Sequence, residues 1–346
     1  MTRLATQPNE MLGAEQQRTE RNPALDALKG LLVLSMVLYH WWNYFVSREG
    51  EIYKYIRFIT PSFVFITGFL LTNVYLAKYR IGDRRLHARL FVRGLKLLVL
   101  FTLLNLAANL VLQRNYNGAE LGLSHFLAVA PAVYLSGGSR GAVFEVLVPI
   151  SYLLIFSSVL FWCCKMHRHF LLAFWFVFFG GLFLLRWHNI AFANVDLFSM
   201  GVLGMAFGRL SMETIDHAVR PAIGWFGAYV IYLVALNMFD VIYVLQAAGL
   251  VLNLVLLYMA AKGLGETGLI ARKVILLGQY SLLAYIAQIA ILQALVRVMR
   301  PLESGTSVYA LSLAGALVLT LVAVEATHRG RRRSPAFDRL YRFVFA

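Results

Sequence analysis

The sequence predicts an all-α, polytopic integral membrane protein with about ten transmembrane helices and both termini in the cytoplasm. Of its 346 residues, 60% are hydrophobic and only 14% are charged, whereas soluble proteins carry about 25% charged residues. A helix of about 20 apolar residues is long enough to span a bilayer. Ten apolar stretches approach that length, namely 28–47, 57–77, 91–112, 143–163, 170–187, 196–211, 221–239, 241–261, 274–296 and 306–326.

The basic residues indicate the orientation of the chain in the membrane. A net charge of +15 would suggest nucleic-acid binding in a soluble protein. Here roughly three quarters of the 32 lysines and arginines fall on the side of the membrane that holds the N-terminus, as the positive-inside rule requires of the cytoplasmic side. We therefore predict no nucleic-acid partner and a multi-pass protein of a bacterial cytoplasmic (inner) membrane.

The composition divides the chain into three parts. Residues 1–24 are polar, lack the apolar core of a signal peptide and are predicted to form a cytoplasmic tail. Residues 25–328 form the membrane domain, and residues 329–346 are predicted to be a basic cytoplasmic tail suited to anionic lipid of the inner leaflet. The adjacent Cys163 and Cys164 have no metal-ligand spacing and do not suggest a disulfide in a reducing compartment, so we predict no metal.

The first span carries three ionisable side chains, Asp26, Lys29 and His40. Such groups are costly inside a membrane and mark functional sites. Eleven residues of α-helix return to within about 20° of the starting face and rise about 16 Å, so Lys29 and His40 are expected to face the same way. Asp26 lies one turn before Lys29 on that face. The alternative is that Asp26 and Lys29 are interfacial anchors and that His40 belongs to the aromatic belt formed by Trp41 and Trp42.

A basic stripe, defined as Arg84, Arg85, Arg89, Arg93 and Lys96, leads into the third span. Its last four residues follow the helical spacing that places side chains on one face. Topology alone explains a basic inner loop, because long side chains snorkel to the interface. The last two residues of the stripe, however, enter an otherwise apolar segment. This placement favours a phosphate-binding site, since arginine makes bidentate contacts with phosphate oxygens.

Residues in two other spans have two interpretations each. In the ninth span, Ser281, Tyr285 and Gln288 recur at intervals of four and three residues and so form one stripe. This stripe either lines a cavity or bonds one helix to another. In the second span, Pro61 and Gly68 predict a freed backbone carbonyl and a close approach of neighbouring helices. This is either ordinary helix packing or part of a site.

Glu145, Asp196 and Glu325 lie in or near other predicted spans. Glu145 and Asp196 are close to outer helix ends and are expected to be external polar contacts or solvated end charges. Glu325 lies in the last span, where we predict an ion pair with a neighbouring arginine.

The first-helix pattern, Asp26-x-x-Lys29-Gly30 with His40, resembles the signature of the transmembrane acyltransferases. These comprise the acyltransferase-3 family and its heparan-α-glucosaminide N-acetyltransferase-like and glucan-succinylating relatives. In their first helix an Arg or Lys is followed, after ten residues, by a His, and Lys29 and His40 match that spacing. The likeness extends over residues 21–330.

Three weaker motifs accompany this one. FITGF at 65–69 looks like the last five positions of the family's Phe-x-x-Ser-Gly-Phe, with Thr67 in place of Ser. LGQYSLLAY at 277–285 resembles the Leu-Gly-x-x-Ser-Leu-x-x-Tyr of a late helix, whose customary His appears here as Gln288. The basic approach to the third helix is also similar, although residues 89–93 lack the usual Arg-Pro ending.

The resemblance implies an acyltransferase domain over residues 25–328 that passes an acyl group, usually acetyl, from cytosolic acyl-CoA to a hydroxyl or amine of a glycan or lipid-linked sugar. Lys29 and the arginines of the basic stripe would hold the CoA phosphates, and the pantetheine arm would thread the bundle toward His40. There a neutral imidazole would deprotonate the acceptor or take the acyl group itself, and both routes stay open. Asp26 would orient Lys29 or cap the helix. The substrate site would be lined by Thr67, Ser281, Tyr285 and Gln288.

Two other classes of protein fit the composition. A transporter or flippase of an anionic lipid or glycan would also have many helices, a basic inner vestibule and an intramembrane histidine, although no inverted repeat of the kind common in transporters is evident. A non-enzymatic membrane scaffold is the third class. The expected partners of the acyltransferase are acyl-CoA, the acceptor sugar and membrane lipids, and a homo-oligomer is compatible with the sequence.

Overall fold

The chain is helical throughout the described part of the molecule, so the predicted all-α class is confirmed. The computed structural model describes residues 22–46, 51–79, 81–111, 122–138, 142–166, 169–239, 243–299 and 305–345. No β-strand occurs within these ranges. Most of the tail predicted at residues 1–24 lies outside them.

The helices are numbered here in chain order. Their bounds are α1 Pro23–Trp41, α2 Glu51–Ile56, α3 Ile59–Leu70, α4 Leu76–Lys78, α5 Arg84–Val111, α6 Leu123–Leu135, α7 Leu147–Met166, α8 Phe170–Trp187, α9 Ala193–Phe207, α10 Met212–Ala218, α11 Ala222–Met238, α12 Tyr243–Gly263, α13 Leu269–Gln279, α14 Ser281–Met299, α15 Thr306–Arg333 and α16 Pro335–Phe345. Two π-helical segments, Trp42–Val46 and Leu71–Tyr75, continue α1 and α3.

Eight helical segments of the described chain are long and apolar enough to cross a membrane, which supports the predicted multi-pass protein. They are Pro23–Val46, Lys54–Lys78, Arg84–Leu110, Leu147–Lys165, Phe170–Trp187, Tyr243–Gly263, Ser281–Met299 and Thr306–Arg333. The helices α9 and α10 meet at 98° and count as a ninth span if taken together. The 17 residues of α11 lie at the short end of what a bilayer requires. The predicted spans at 196–211 and 221–239 therefore correspond to a broken and a short helix.

The predicted span at 274–296 consists of two helices. The first, α13, ends at Gln279, and α14 begins at Ser281. Between them, Tyr280 adopts φ −112° and ψ 27°, which is outside the α-helical region. The apolar pattern runs across this break without interruption, and for that reason the sequence suggested one helix.

The start of α1 is fixed by local hydrogen bonds. The side chain of Asn22 accepts hydrogen bonds from the backbone N–H groups of Ala24 at 2.9 Å and Leu25 at 3.2 Å. Pro23 occupies the first helical position, where its missing N–H costs nothing. Asn22, rather than Asp26, therefore caps the helix, and Asp26 lies in the first turn, where a negative charge is favourable.

The first helix, α1, lies at the centre of the bundle. It packs against α3, α12, α13, α14 and α15. Leu32, Val33, Met36 and Val37 are each at most 1% exposed, so this side of the helix is covered by protein. The opposite side is less covered, since Leu38 is 44% exposed.

Glycines bring α1 and α13 into direct backbone contact. A Cβ atom added to Gly278 would lie 1.7 Å from the carbonyl oxygen of Asp26, and one added to Gly30 would lie 1.9 Å from the carbonyl oxygen of Val274. Small residues at helix interfaces allow such an approach in membrane proteins. In the first-helix motif, the ionisable Lys29 is therefore followed directly by Gly30, which allows the close packing of α1 against α13.

The second span packs against α9 in the same manner. A Cβ added to Gly68 would lie 1.9 Å from the carbonyl oxygen of Gly201, and one added to Gly204 would lie 2.0 Å from that of Phe65. The packing interpretation of Gly68 therefore holds in the structure.

The C-terminal end of the last span is helical as far as Arg333. Glu325 pairs there with Arg329 at 2.8 Å, as predicted for a neighbouring arginine, and also with Lys273 at 2.7 Å. After Ser334 the chain forms α16, so the residues predicted to be a basic tail are largely helical.

Replacing Gly278 with Ala should destabilise the bundle, because the new methyl group would overlap the carbonyl oxygen of Asp26. Overpacking of this kind typically costs about 1–3 kcal/mol. The thermal unfolding midpoint of the purified protein measures the effect. Gly227→Ala is the matched control, since a Cβ at Gly227 has no atom within 4 Å and helix propensity alone favours Ala by about 1 kcal/mol. Equal midpoints for the two variants would contradict the close contact.

Candidate functional site

The N-terminal end of α1 holds a buried ion pair. The Nζ of Lys29 lies 2.6 Å from Oδ1 of Asp26, and the side chains are 18% and 4% exposed, respectively. The pair follows the i, i+3 spacing that places both groups on one helix face. Separating the two groups would leave an uncompensated buried charge, so they are expected to stay together. Asp26 therefore holds the ammonium of Lys29 in one position.

Further along the same unbroken helix, His40 lies in an aromatic environment. Its ring centroid is 5.1 Å from that of Tyr39, 6.3 Å from that of Tyr285 and 6.5 Å from that of Tyr44. Its Nε2 is buried and has no hydrogen-bond partner in the described chain. Since buried polar atoms are nearly always hydrogen-bonded, the imidazole presents an unused nitrogen inside the protein.

Tyr285 connects His40 to the loop before α7. Its ring centroid is 6.0 Å from that of Phe144 and 6.5 Å from that of Phe63. The backbone of Phe144 has a φ of +63°, which is unusual for a bulky residue and is typical of positions that the surrounding structure holds under strain. The loop before α7 is thereby held against the ring that faces the histidine.

Two amides, one on α14 and one just after α1, also have atoms without partners. Gln288 is completely buried, and neither its Nε2 nor its Oε1 has a hydrogen-bond partner in the described chain. The same is true of Oδ1 of Asn43, which is one turn beyond His40. Each unpartnered buried polar group costs about 1–3 kcal/mol. Three such groups on adjoining segments indicate a place where a polar ligand group would be stabilised.

The packing of α14 against α1 locates Gln288 relative to the histidine. Ala284 belongs to the same hydrophobic cluster as Val33, and Leu292 to the same cluster as Trp41. Gln288 lies midway between Ala284 and Leu292 on the same face of α14. The amide therefore faces the stretch of α1 that includes the histidine.

The face of α1 between Lys29 and His40 is filled with side chains. Val33 and Met36 lie on this face, four and seven residues after Lys29, and each is only 1% exposed. A water-sized channel beside them would leave them accessible. The tunnel expected between Lys29 and His40 is therefore closed at Val33 and Met36, because these two side chains pack against α13 and α14.

The basic stripe contributes to a groove on α5. The groove has a volume of about 320 Å³ and is lined by Ala88, Arg89, Val92, Arg93 and Lys96. Two of its walls are therefore the cationic side chains predicted to bind phosphate. The other two predicted arginines are exposed at the start of α5 and do not line the groove.

Tyrosines at the C-terminal end of the second span orient the arginines of this groove. Arg89 donates a hydrogen bond to the hydroxyl of Tyr79 at 2.6 Å, and Arg93 donates one to the hydroxyl of Tyr75 at 2.5 Å. Because α3, the main helix of that span, also packs against α1, the second span lies between Lys29 and the groove. Lys29 itself pairs with Asp26.

The remaining predicted residues have varied environments. The hydroxyl of Thr67 donates to the carbonyl oxygen of Phe63 in its own helix at 2.8 Å. Ser281 is half-buried at the start of α14. No group of three or more His, Cys, Asp or Glu side chains in the described ranges is arranged to hold a metal ion.

Several residues of the site were not identified from the sequence. Asn43 follows His40 by three residues, and Tyr75 and Tyr79 are four residues apart opposite the basic stripe, so helical spacing contains a signal for each. No sequence pattern identifies Phe144, because its position depends on a strained loop and on a helix far along the chain.

A comparison with protein families supplies independent information. The sequence model of a family described as an acyltransferase domain (acyltransferase-3) matches residues 22–325. The match extends from the cap of α1 into α15, includes every predicted site residue and leaves α16 outside. No curated protein matches the chain.

The motifs assign no role to Glu145, a half-buried carboxyl just before α7. Its Oε2 accepts a hydrogen bond from the backbone N–H of Gly138 at 3.1 Å. Burial raises the pKa of Glu145 to about 7, despite the opposing effect of that hydrogen bond. This carboxyl is adjacent in sequence to Phe144, and therefore to the wall of the site.

Glu145→Gln should change how stability depends on pH. A carboxyl with a raised folded-state pKa binds its proton more tightly when folded, so its contribution to stability is fully present below its unfolded pKa and is lost as pH rises through about 7. The thermal midpoint of the natural protein should fall over this range, and that of the variant should fall less. Glu213→Gln, on the exposed helix α10, is the control. Parallel pH profiles for Glu145→Gln and the natural protein would contradict the assignment.

Proposed function

The chain belongs to the acyltransferase-3 family, and from that premise we propose a particular reaction for this membrane acyltransferase. It transfers an acyl group, in the first instance acetyl, from cytosolic acyl-CoA to a hydroxyl or amine of a glycan or lipid-linked sugar. The proposed location is a bacterial cytoplasmic membrane. The proposal rests mainly on two features of one face of α1. One is the fixed ammonium of Lys29, and the other is His40, whose Nε2 is buried without a partner in the described chain.

The basic groove on α5 supports an acyl-CoA donor. The phosphates of CoA are anionic, and Arg89 and Arg93 present planar guanidinium groups held by tyrosine hydroxyls. Preorganised arginines bind phosphate with little loss of side-chain entropy. Lys29, on the other side of the second span, would contact the donor after it leaves the groove.

His40 can take part in the proposed acyl transfer by either of two routes. In the direct route, Nε2 takes the proton of the acceptor O–H or N–H while the acceptor atom bonds to the thioester carbon. The C–S bond then breaks and the thiolate recovers the proton, giving CoA–SH. In the two-step route, Nε2 attacks the thioester carbon and displaces the thiolate. The acceptor oxygen or nitrogen then bonds to the acyl carbon as its bond to Nε2 breaks, and the acceptor proton passes by way of the freed Nε2 to the thiolate, giving CoA–SH.

The buried amides suit the carbonyl of the donor. As the acceptor or the imidazole attacks, negative charge develops on the thioester oxygen, and N–H donors aimed at that oxygen stabilise it. Gln288 has N–H groups with no other partner. We assign Gln288 this role, and Tyr285, with Phe63 and Phe144, the role of apolar wall.

Binding must open the closed face of α1. Met36, one of the two residues that fill it, is unbranched and adapts to different shapes. The two π-helical segments lie at the ends of the proposed path, one just beyond His40 and one ending at Tyr75 beside the groove. Such segments recur at functional sites, and here they provide places where a helix can shift in register.

His40→Ala should reduce acyl transfer at least about 100-fold, because a positioned acid–base group contributes about 10²–10⁴ in rate. The assay combines turnover of acetyl-CoA by the reconstituted protein with the acetyl mass on cell-envelope glycans, measured by mass spectrometry. His125→Ala, on the exposed face of α6, should be within about twofold of the natural protein.

Two outcomes of that experiment would overturn the proposal. Normal turnover by His40→Ala would remove the histidine from the chemistry. Failure of the natural protein to bind acetyl-CoA would favour the transporter or flippase alternative.

Arg93→Gln should mainly weaken donor binding. A hydrogen bond to a charged group contributes about 1.5–3 kcal/mol, so the KM for acetyl-CoA should rise at least about tenfold while kcat changes little. The control is Arg220→Gln, an exposed arginine outside the groove. An unchanged KM in Arg93→Gln, or an equal rise in both variants, would contradict a phosphate site in this groove.

A further inference from the structure

The last helix, α16, is not explained by the family to which the chain belongs. The matched region ends at residue 325, whereas α16 comprises Pro335–Phe345. It follows α15 after the single residue Ser334 and turns back against it. A Cβ atom added to Gly330 would lie 3.1 Å from the ring of Phe337, so this glycine allows the two helices to meet.

An electrostatic and aromatic clamp holds α16 in place. Asp338 accepts hydrogen bonds from Arg331 at 2.7 Å and pairs with Arg342 at 2.6 Å. The guanidinium of Arg331 lies 4.1 Å from the ring centre of Tyr341 and 5.4 Å from that of Tyr280. The two guanidinium groups lower the pKa of Asp338, so its carboxylate stays charged at neutral pH. The helix is thus fixed to the break between α13 and α14.

The two sides of α16 differ in chemistry. Successive residues of a helix are about 100° apart, so its three charged residues fall within an arc of about 100° and apolar side chains occupy the remainder. Part of the apolar side packs against the clamp. The rest is uncovered, since Phe337, Leu340 and Phe343 are 39%, 58% and 72% exposed, respectively.

The position of α16 along the bundle identifies what covers that side. Tyr280, in the clamp, is two residues from Gly278, which contacts Asp26 at the start of α1. The helix therefore lies at the end of the bundle where α1 begins, which the positive-inside rule assigns to the cytoplasm. At about 1.5 Å per residue, the 28 residues of α15 exceed the thickness of the hydrocarbon core, so its last turn reaches the headgroups.

We propose that α16 docks on the anionic cytoplasmic leaflet as an interfacial helix, with Leu340 and Phe343 inserted among the lipid chains. We assign anionic phospholipid to the surface of α16 because the charges of the two are complementary. Residues 329–346 contain six arginines and a single acidic residue, Asp338. An amphipathic helix with basic residues beside an apolar side binds this kind of surface, at about 1 kcal/mol for each basic residue near it.

Docking would also place lipid beside the basic groove. The ammonium of Lys96, which lines that groove, lies 5.5 Å from the ring centre of Phe343. A docked α16 would therefore form the membrane-side edge of the groove. Only this consequence rests on the proposed function, and docking itself does not.

Spin labels test the proposal on the full-length protein. Cys163 and Cys164 are the two cysteines of the chain and would be changed to Ser. A single label would then be introduced through Leu340→Cys or, as matched control, Arg339→Cys. The labelled proteins would be reconstituted in vesicles of phosphatidylcholine with phosphatidylglycerol, and in phosphatidylcholine alone.

We expect the label at 340 to be several-fold more accessible to oxygen, relative to an aqueous nickel chelate, than the label at 339. The difference should shrink in vesicles of phosphatidylcholine alone. Equal access of nickel to both labels would overturn docking, and an unchanged difference in neutral vesicles would overturn the assignment to anionic lipid. A label at 340 shielded from both reagents would indicate a protein partner instead. These outcomes do not depend on enzymatic activity, so they are separate from a failure of the proposed reaction.

Discussion

The backbone contact between α1 and α13 determines the geometry of the rest of the site. Gly30 and Gly278 bring the two helices together so closely that either position lacks space for a methyl group. This contact buries the first turn of α1, where Asp26 then needs a cation and finds it in Lys29. It also fixes the end of α13, from which the break at Tyr280 directs α14 along α1 and brings Tyr285 to His40. The motif glycine and the ionisable residues of α1 are therefore one structural unit.

Because the path between Lys29 and His40 is closed, acyl transfer would require a change of conformation. Val33 and Met36 separate the buried ion pair from the histidine, so a donor could bind in the groove without its thioester reaching the base. Only a conformation in which these side chains have moved would be productive, and a donor that binds this conformation better would shift the population toward it. Such gating would protect the thioester from water until the acceptor is present. The amide of Gln288 and the Oδ1 of Asn43, which lack partners in the closed state, would gain partners in the open one.

Local spacing predicted a large part of this arrangement. The i, i+3 spacing predicted that Asp26 and Lys29 share a face, and the eleven-residue spacing places His40 further along the same helix. Contacts between distant segments were beyond such reasoning. The pairing of Glu325 with Arg329 follows from helical spacing, whereas its second partner, Lys273, comes from another helix. The break at Tyr280, the strained backbone of Phe144 and the filling of the path depend on tertiary packing, which overrides local periodicity.

The most direct test of the account is the structure of the protein bound to a thioether analogue of acetyl-CoA, which keeps the carbonyl but cannot transfer it. We expect phosphates in the groove formed by Arg89, Arg93 and Lys96, displaced Met36, and an acyl carbonyl carbon within about 4 Å of Nε2 of His40. An analogue whose acyl end lies away from the histidine, with Val33 and Met36 in their present positions, would contradict it.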